Sequence, residues 1–204
     1  MDLRRLPFRI RYGPVRRAGS AVRRWRVQLT HLHADVQFGD GVYCGPGFRV
    51  EIPGNGALIV GPRVHFRRGF TAEISGGGRV TIGADTVFTW DPVIHCSTTI
   101  DIGEGCMIGR VVMADGNHRF RDPDQPVMAQ GYDFRPLVIG DGAMIANHAV
   151  VLASVGERTF VGANAVVSRD LPDYSVALGQ PARVVEYFGK DPARKNEKRR
   201  PPSV

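Results

Sequence analysis

Residues 80–113 read VTIGADTVFTWDPVIHCSTTIDIGEGCMIGRVVM, and residues 139–167 read IGDGAMIANHAVVLASVGERTFVGANAVV. In both stretches an aliphatic or aromatic residue returns at every sixth position. Ile82, Phe88, Ile94 and Ile100 form one run, and Ile102 and Ile108 a second. Ile139, Ile145 and Val151 form a third, and Val155, Val161 and Val167 a fourth. Gly83, Gly103, Gly109, Gly140, Gly156 and Gly162 each follow a repeat residue. Six is a multiple of the strand period of 2.0 and does not fit the helix period of 3.6. Three such hexads, each a short strand and a turn, close a triangular coil of about 18 residues, and coils stacked on one another bury a continuous core. A β-sandwich would need four separate runs to share this spacing by coincidence. The reading is all-β, a parallel β-helix with the repeat residues pointing into a narrow prism. Val36–Gly39 and Val60–Gly61 suggest further, less regular coils upstream.

Composition agrees with a folded chain of this kind. The 204 residues are 43% hydrophobic and 23% charged, with 25 glycines and 14 prolines and no collagen period. No stretch reaches the length of uncharged apolar residues that a membrane span needs, and no apolar signal core follows the basic N-terminus. Cys44, Cys96 and Cys106 have no CxxC spacing, so reduced thiols and a cytoplasmic location are expected. The net charge of +7 is unevenly distributed: residues 1–30 hold nine arginines and one aspartate, and residues 189–204 hold six Lys/Arg against Asp191 and Glu197. That leaves −5 for residues 31–188, which contain no lysine. A nucleic-acid reader needs a basic folded face, so nucleic acid is not the expected partner. The expected organisation is a basic arm over 1–34, a β-helix domain over 35–183 and a C-terminal segment over 184–204 ending in a disordered basic tail. The arm reads as an amphipathic helix with Val22, Trp25 and Leu29 on one side, either capping the first coil or touching an anionic membrane at its inner face.

The repeat is interrupted over 114–137 by a long polar loop that contains three prolines. Long loops on rigid scaffolds are where chemistry tends to sit. His118 opens this loop beside Asp115, Gly116 and Asn117. An imidazole that titrates near neutrality suits a general base acting on a hydroxyl or amine.

Gly103–Phe188 resembles the hexapeptide-repeat acyltransferases, in particular their maltose, galactoside and polysaccharide O-acetyltransferase branch. Four signatures carry the resemblance, in order: GNH at Gly116–His118, IGDGAMIANHAVVL at Ile139–Leu152, VGANAVVSRDLPDYSV at Val161–Val176 and GQPARVV at Gly179–Val185. The resemblance implies a left-handed parallel β-helix, a homotrimer with active sites between subunits, and acyl-CoA as a cosubstrate with no resident cofactor or metal. By position it makes His118 the catalytic base, with Asp115 as a group that orients the imidazole. It gives the backbone N–H of Asn147 the task of holding the tetrahedral oxyanion. Ala163, Ser168, Arg169 and Arg183 fall where the family holds CoA, and Thr89, Asp91 and Ser97 where it contacts the acceptor. The implied reaction is direct transfer of an acetyl or longer acyl group to a saccharide, glycoside or glycolipid hydroxyl.

Three departures from the family pattern bear on specificity. Met144–Ala146 replaces a Trp-Ile-Gly, Ala153–Arg158 is two residues short, and Thr89 stands where sugar acetyltransferases often have Asn. Alternatives are an amine acceptor, such as an amino sugar or antibiotic, and a non-catalytic β-helix scaffold. A γ-class carbonic anhydrase needs two histidines five residues apart, and His118 has Met113 and Pro123 at those places. Cys96 and Cys106 could join His95 around a metal, although apolar packing is the plainer role for such thiols.

Overall fold

The computed structural model describes residues 8–189. Three parallel sheets form the walls of a prism, and the chain visits them in rotation. Sheet A holds β1 (Asp35–Phe38), β4 (Ala57–Val60), β7 (Arg79–Ile82), β10 (Thr99–Ile102) and β15 (Leu137–Ile139). Sheet B holds β2 (Tyr43–Cys44), β5 (His65–Arg68), β8 (Val87–Trp90), β11 (Met107–Ile108), β16 (Met144–Ile145), β18 (Phe160–Val161), β20 (Ser175–Leu178) and β21 (Arg183–Tyr187). Sheet C holds β3 (Arg49–Glu51), β6 (Thr71–Ile74), β9 (Val93–Cys96), β12 (Val112–Ala114), β17 (Val150–Val151) and β19 (Val166–Val167). The architecture is the left-handed parallel β-helix anticipated from the repeat and the resemblance.

Coil length departs from the uniform value of about 18 that the period of six suggested. Val36 lies against Leu58 and Leu58 against Val80, 22 residues per turn. Val80 lies against Ile100, a turn of 20. After the loop, Ile139 lies against Val155 and Val155 against Leu171, turns of 16. Part of the excess lies on sheet A, in the number of inward side chains, and the rest lies in the corners. The wide coils place two there, such as Val80 with Ile82 and Ile100 with Ile102, all buried. That is why Ile100 and Ile102 break the phase of the repeat in sequence: they are neighbours on one strand, two residues apart on the same face. The late turns place a single residue there, Val155 and then Leu171.

Core side chains follow the same taper. Phe48, Phe66, Phe70 and Phe88 form one cluster in the early coils, with Phe66 stacked on Phe88 at 5.1 Å between ring centres. The late coils are filled by Ala143, Ala149, Ala165, Val151, Val161 and Val167. Buried polar residues are bonded at the corners: Thr86 Oγ1 donates to the Gly103 carbonyl and accepts from the Cys106 N–H. A buried polar group needs such partners, because leaving one unmade costs ~1–3 kcal/mol.

A helix, α1 (Phe8–Thr30), covers the first coil. It satisfies the open edge of β2: the Cys44 N–H donates to Ser20 Oγ at 2.8 Å, and Arg23 Nε donates to the Cys44 carbonyl at 2.8 Å. Val27, on the inner face of the helix, is buried. At the other end, β21 runs antiparallel to β20 and ends the parallel stack. The tail expected to be disordered lies, from residue 190 onward, outside the described residues. No helix among the described residues is long and apolar enough to cross a membrane.

Candidate active site

At the corner between sheets C and A, after β12, the chain leaves the prism. Asp115 marks the exit. It is only 3% exposed, and its carboxylate accepts the N–H groups of Ser97 (2.8 Å) and Thr98 (2.6 Å), the Thr98 hydroxyl (2.8 Å) and the Cys96 thiol. The return strand is pinned at the same place, since the Arg135 N–H donates to the Asp115 carbonyl at 2.6 Å. Between these anchors β13 (Gly116–His118) pairs antiparallel with β14 (Tyr132–Phe134), opposing His118 to Tyr132. Gly116 is required there: a Cβ would lie 2.6 Å from the Phe134 ring.

His118 packs on Tyr132 with ring centres 4.2 Å apart, and Tyr132 stacks on Phe134 at 5.5 Å. The His118 Nδ1 atom is buried and has no hydrogen-bond partner. Arg119 pairs with Asp133 at 2.7 Å, and Gln130 ties the tip by donating to the Asp122 and Gln125 carbonyls. The hairpin thereby encloses an open cavity of about 610 Å³ lined by His118, Asn117, Arg119, Phe120, Arg121, Gln130 and their neighbours in the loop.

The remaining expected residues fall on both edges of sheet C. At the B–C corner, Asp91 forms an ion pair with Arg110 at 3.0 Å, and the Arg110 N–H donates to Asn147 Oδ1 at 2.9 Å. Asn147 and Ala163 are exposed at this corner, one coil apart, with the Asn164 N–H donating to the Asn147 carbonyl. Asp91, His148 and Asn164 adopt left-handed backbone here, at φ of 43°, 64° and 59°. Gly109 lets the corner close, because a Cβ would stand 2.7 Å from Asn147 Oδ1. Thr89, on the adjoining end of β8, has a buried Oγ1 without a partner. At the C–A corner lie Ser97, the hairpin, and exposed Ser168 and Arg169. Asp170, beside them, pairs with Arg135 and so links the hairpin base to the last coils. Arg183 begins β21 and is exposed, with its Nη1 donating to the Ala182 carbonyl.

One outcome differs from the sequence reading. Asp115 does not orient the imidazole by a hydrogen bond, because its oxygens are taken by Ser97, Thr98 and Cys96 and none reaches His118. Its place in the structure is that of an anchor for the hairpin. Within one chain, moreover, no hydrogen bond, ring contact or shared cavity joins His118 to Asn147, which sit at different corners. Tyr132, Arg121 and Gln130 were not foreseen, since their closeness to His118 depends on a strand pairing across the whole loop. The cysteines are inert: burial, and then Asp115, push the Cys96 thiol up to about 12, and burial raises Cys106. No group of three His, Cys, Asp or Glu among the described residues could hold a metal ion.

The chain resembles hexapeptide-repeat acyltransferases in its motifs, and its β-helix is the fold of the solved acyltransferase structures it matches. No family model matches the chain. It is 34% identical over 107 residues to a probable acetyltransferase of Mycobacterium tuberculosis, a match covering 51% of this chain and 36% of that protein. The chain spans about a third of the length of the curated relatives it matches. Among solved structures it resembles an N-acyltransferase from Bacillus cereus in complex with dTDP and 3-hydroxybutyryl-CoA, with a TM-score of 0.63 and 18% identity over 81% of this chain and 89% of that one. It also resembles a galactoside acetyltransferase in complex with coenzyme A, with a TM-score of 0.55 and 21% identity over 80% and 70% of the two chains.

Proposed function

We propose that the protein is an acyl-CoA-dependent acyltransferase that modifies a hydroxyl of a saccharide or glycoside. The observation that carries this reading is the arrangement around sheet C: a histidine on a pinned hairpin at one edge, and Asn147 with Ala163 exposed at the other. In a homotrimer, the hairpin of one subunit reaches the opposite edge of its neighbour, and acyl-CoA lies in the groove between them. Ser168, Arg169 and Arg183 supply donors to CoA, with the arginines suited to its phosphates. The orphaned oxygen of Thr89, together with Asp91 and Ser97, faces the acceptor.

His118 takes the proton from the acceptor hydroxyl as its oxygen attacks the thioester carbonyl. The Asn147 N–H holds the oxyanion, and the proton passes to the CoA thiolate as the C–S bond breaks. No acyl-enzyme forms. Tyr132 fixes the plane of the imidazole. The likeness to the B. cereus N-acyltransferase favours a second reading, an amino sugar as acceptor, which the same histidine serves. The reading also carries a cytoplasmic location, so that acyl-CoA is at hand, and contact of the basic arm with a membrane surface.

Turnover of acetyl-CoA against matched hydroxyl and amino sugars tests both readings. His118→Ala is expected to lose ~10²–10⁴ in turnover with CoA affinity nearly unchanged. Full turnover in that variant would overturn the mechanism. Absence of thermal stabilisation by any acyl-CoA would overturn the activity, since ligand at 100 times its Kd adds ~2.7 kcal/mol.

A further inference from the structure

Helix α1 has two distinct faces, and the prism uses only one. Ser20, Arg23 and Val27 turn toward the first coil, and Arg16 Nε reaches the Tyr43 hydroxyl. At 100° per residue these four fall within an arc of about 60°. Val15, Ala18, Val22, Trp25 and Leu29 recur at spacings of three and four, and they fall in an arc of about 80° on roughly the opposite side. Leu32 extends the series beyond the helix. The stripe is open to solvent: Val15 is 69% exposed, Val22 62%, Trp25 64% and Leu32 81%. Such a contiguous row of large apolar side chains marks an interaction surface.

Charge identifies what covers it. The helix Phe8–Thr30 contains no Asp or Glu; exposed Arg26 borders the stripe on one side, and exposed Arg17 lies between the stripe and the prism-facing side on the other. A second copy of the helix packed on this stripe would bring arginines together with no carboxylate to receive them. An anionic lipid surface receives both features, with apolar side chains in the acyl boundary and guanidinium groups on phosphates. Trp25 suits that boundary, having a large apolar ring and one N–H. Position supports the same occupant. Because α1 seals the outer edge of β2, the stripe points away from the prism, and the His118 hairpin leaves several coils further on.

We propose that α1 is an interfacial helix that seats the protein end-on on an anionic bilayer, with Val15, Val22, Trp25 and Leu29 inserted at the headgroup boundary. The proposal sharpens the membrane contact of the basic arm into a defined face and lipid chemistry, and it does not rest on the acyl-transfer chemistry.

The test is co-sedimentation of the full chain with vesicles of phosphatidylcholine alone or with about 30 mol % phosphatidylglycerol. The wild type is expected to pellet with the anionic vesicles only, and to be released at about 1 M salt, where the screening length is about 3 Å. Combined Val22→Ser, Trp25→Ser and Leu29→Ser should weaken partition at least ~10-fold. Arg17→Gln with Arg26→Gln should weaken it by about the same factor, and this pair keeps the proposal testable should the serine variant fail to fold. Equal binding to both vesicle types, no binding, or undiminished binding by the variants would overturn it. So would a fall in oligomeric mass of the serine variant without vesicles, which would assign the stripe to a second copy. Acyl transfer to a soluble acceptor, measured without vesicles, separates failure of this proposal from failure of the enzymatic one.

Discussion

Between Val36 and Val80 one turn of the prism takes 22 residues, whereas between Ile139 and Leu171 it takes 16. The early turns enclose four clustered phenylalanines, and the late ones enclose alanines and valines with Ile139, Ile145 and Leu171. Both cores are formed by fully buried side chains, so circumference and side-chain volume have changed together. A wide coil with alanines would leave a void, and a narrow coil with phenylalanines could not close. The loop that carries His118 is inserted at the boundary between them, where Ile100 lies against Leu137. The His118 hairpin thus leaves the prism where a 20-residue turn gives way to 16-residue turns.

The comparison can be broken most severely at the aromatic stack. Phe66→Ala is expected to lose ~3–5 kcal/mol, because it removes a fully buried ring and leaves a cavity that the neighbouring coils cannot collapse into. Urea unfolding measures this, and a loss below about 1 kcal/mol would show that the wide coils do not depend on the stack. The converse change, Ala165→Leu, adds volume to a narrow coil and should cost ~1–3 kcal/mol by the same measurement. If that variant were as stable as the wild type, the late coils would not be filled.

A third test distinguishes the regions by pH. His65 lies in a wide coil against the Tyr43 ring, and burial, with Arg67 and Arg16 nearby, holds its pKa below the ordinary value of 6.5. The native state therefore keeps the ring neutral while the unfolded chain takes up a proton near 6.5. Its contribution to stability is present above that pH and is lost as the pH falls through the unfolded value toward the folded one. His65→Gln should flatten the decline in urea midpoint between about pH 7.5 and 5.5. An unchanged slope would remove His65 from the account. The smallest effect is expected at the surface: Arg63 holds the Asp85 carboxyl below its usual range through a bidentate pair. Arg63→Ala should move the midpoint slightly in low salt and not at all at about 1 M salt. A large shift in high salt would mean that this corner bears on coil closure.

Much of the prism was legible in residues 80–113 and 139–167, because an inward side chain must be apolar and must recur in step with the coil. Coil width was not legible, because the extra residues of the early turns lie in corners and on a sheet A strand with two inward positions, where they blur the period. The site shows the same division. GNH and the corner sequences around Asn147 and Ala163 could be read from their resemblance to known signatures. Asp115 could not be read correctly, because a carboxylate three residues from a histidine looks like its partner until the fold turns its oxygens toward Ser97 and Thr98. Tyr132 carried no local signal at all, since it meets His118 through a pairing that spans the loop.

By itself, then, the sequence determined the repeating inward row, the position of the interruption and the basic character of the two ends, since each follows from residue type and spacing. Tertiary structure alone decided the width of each coil, the partner of Asp115, the partition of the expected site over two corners and the outward face of α1. Each of these depends on which atoms compete for the same space or the same hydrogen bond, and that competition exists only once coils separated by 16 to 38 residues lie against one another.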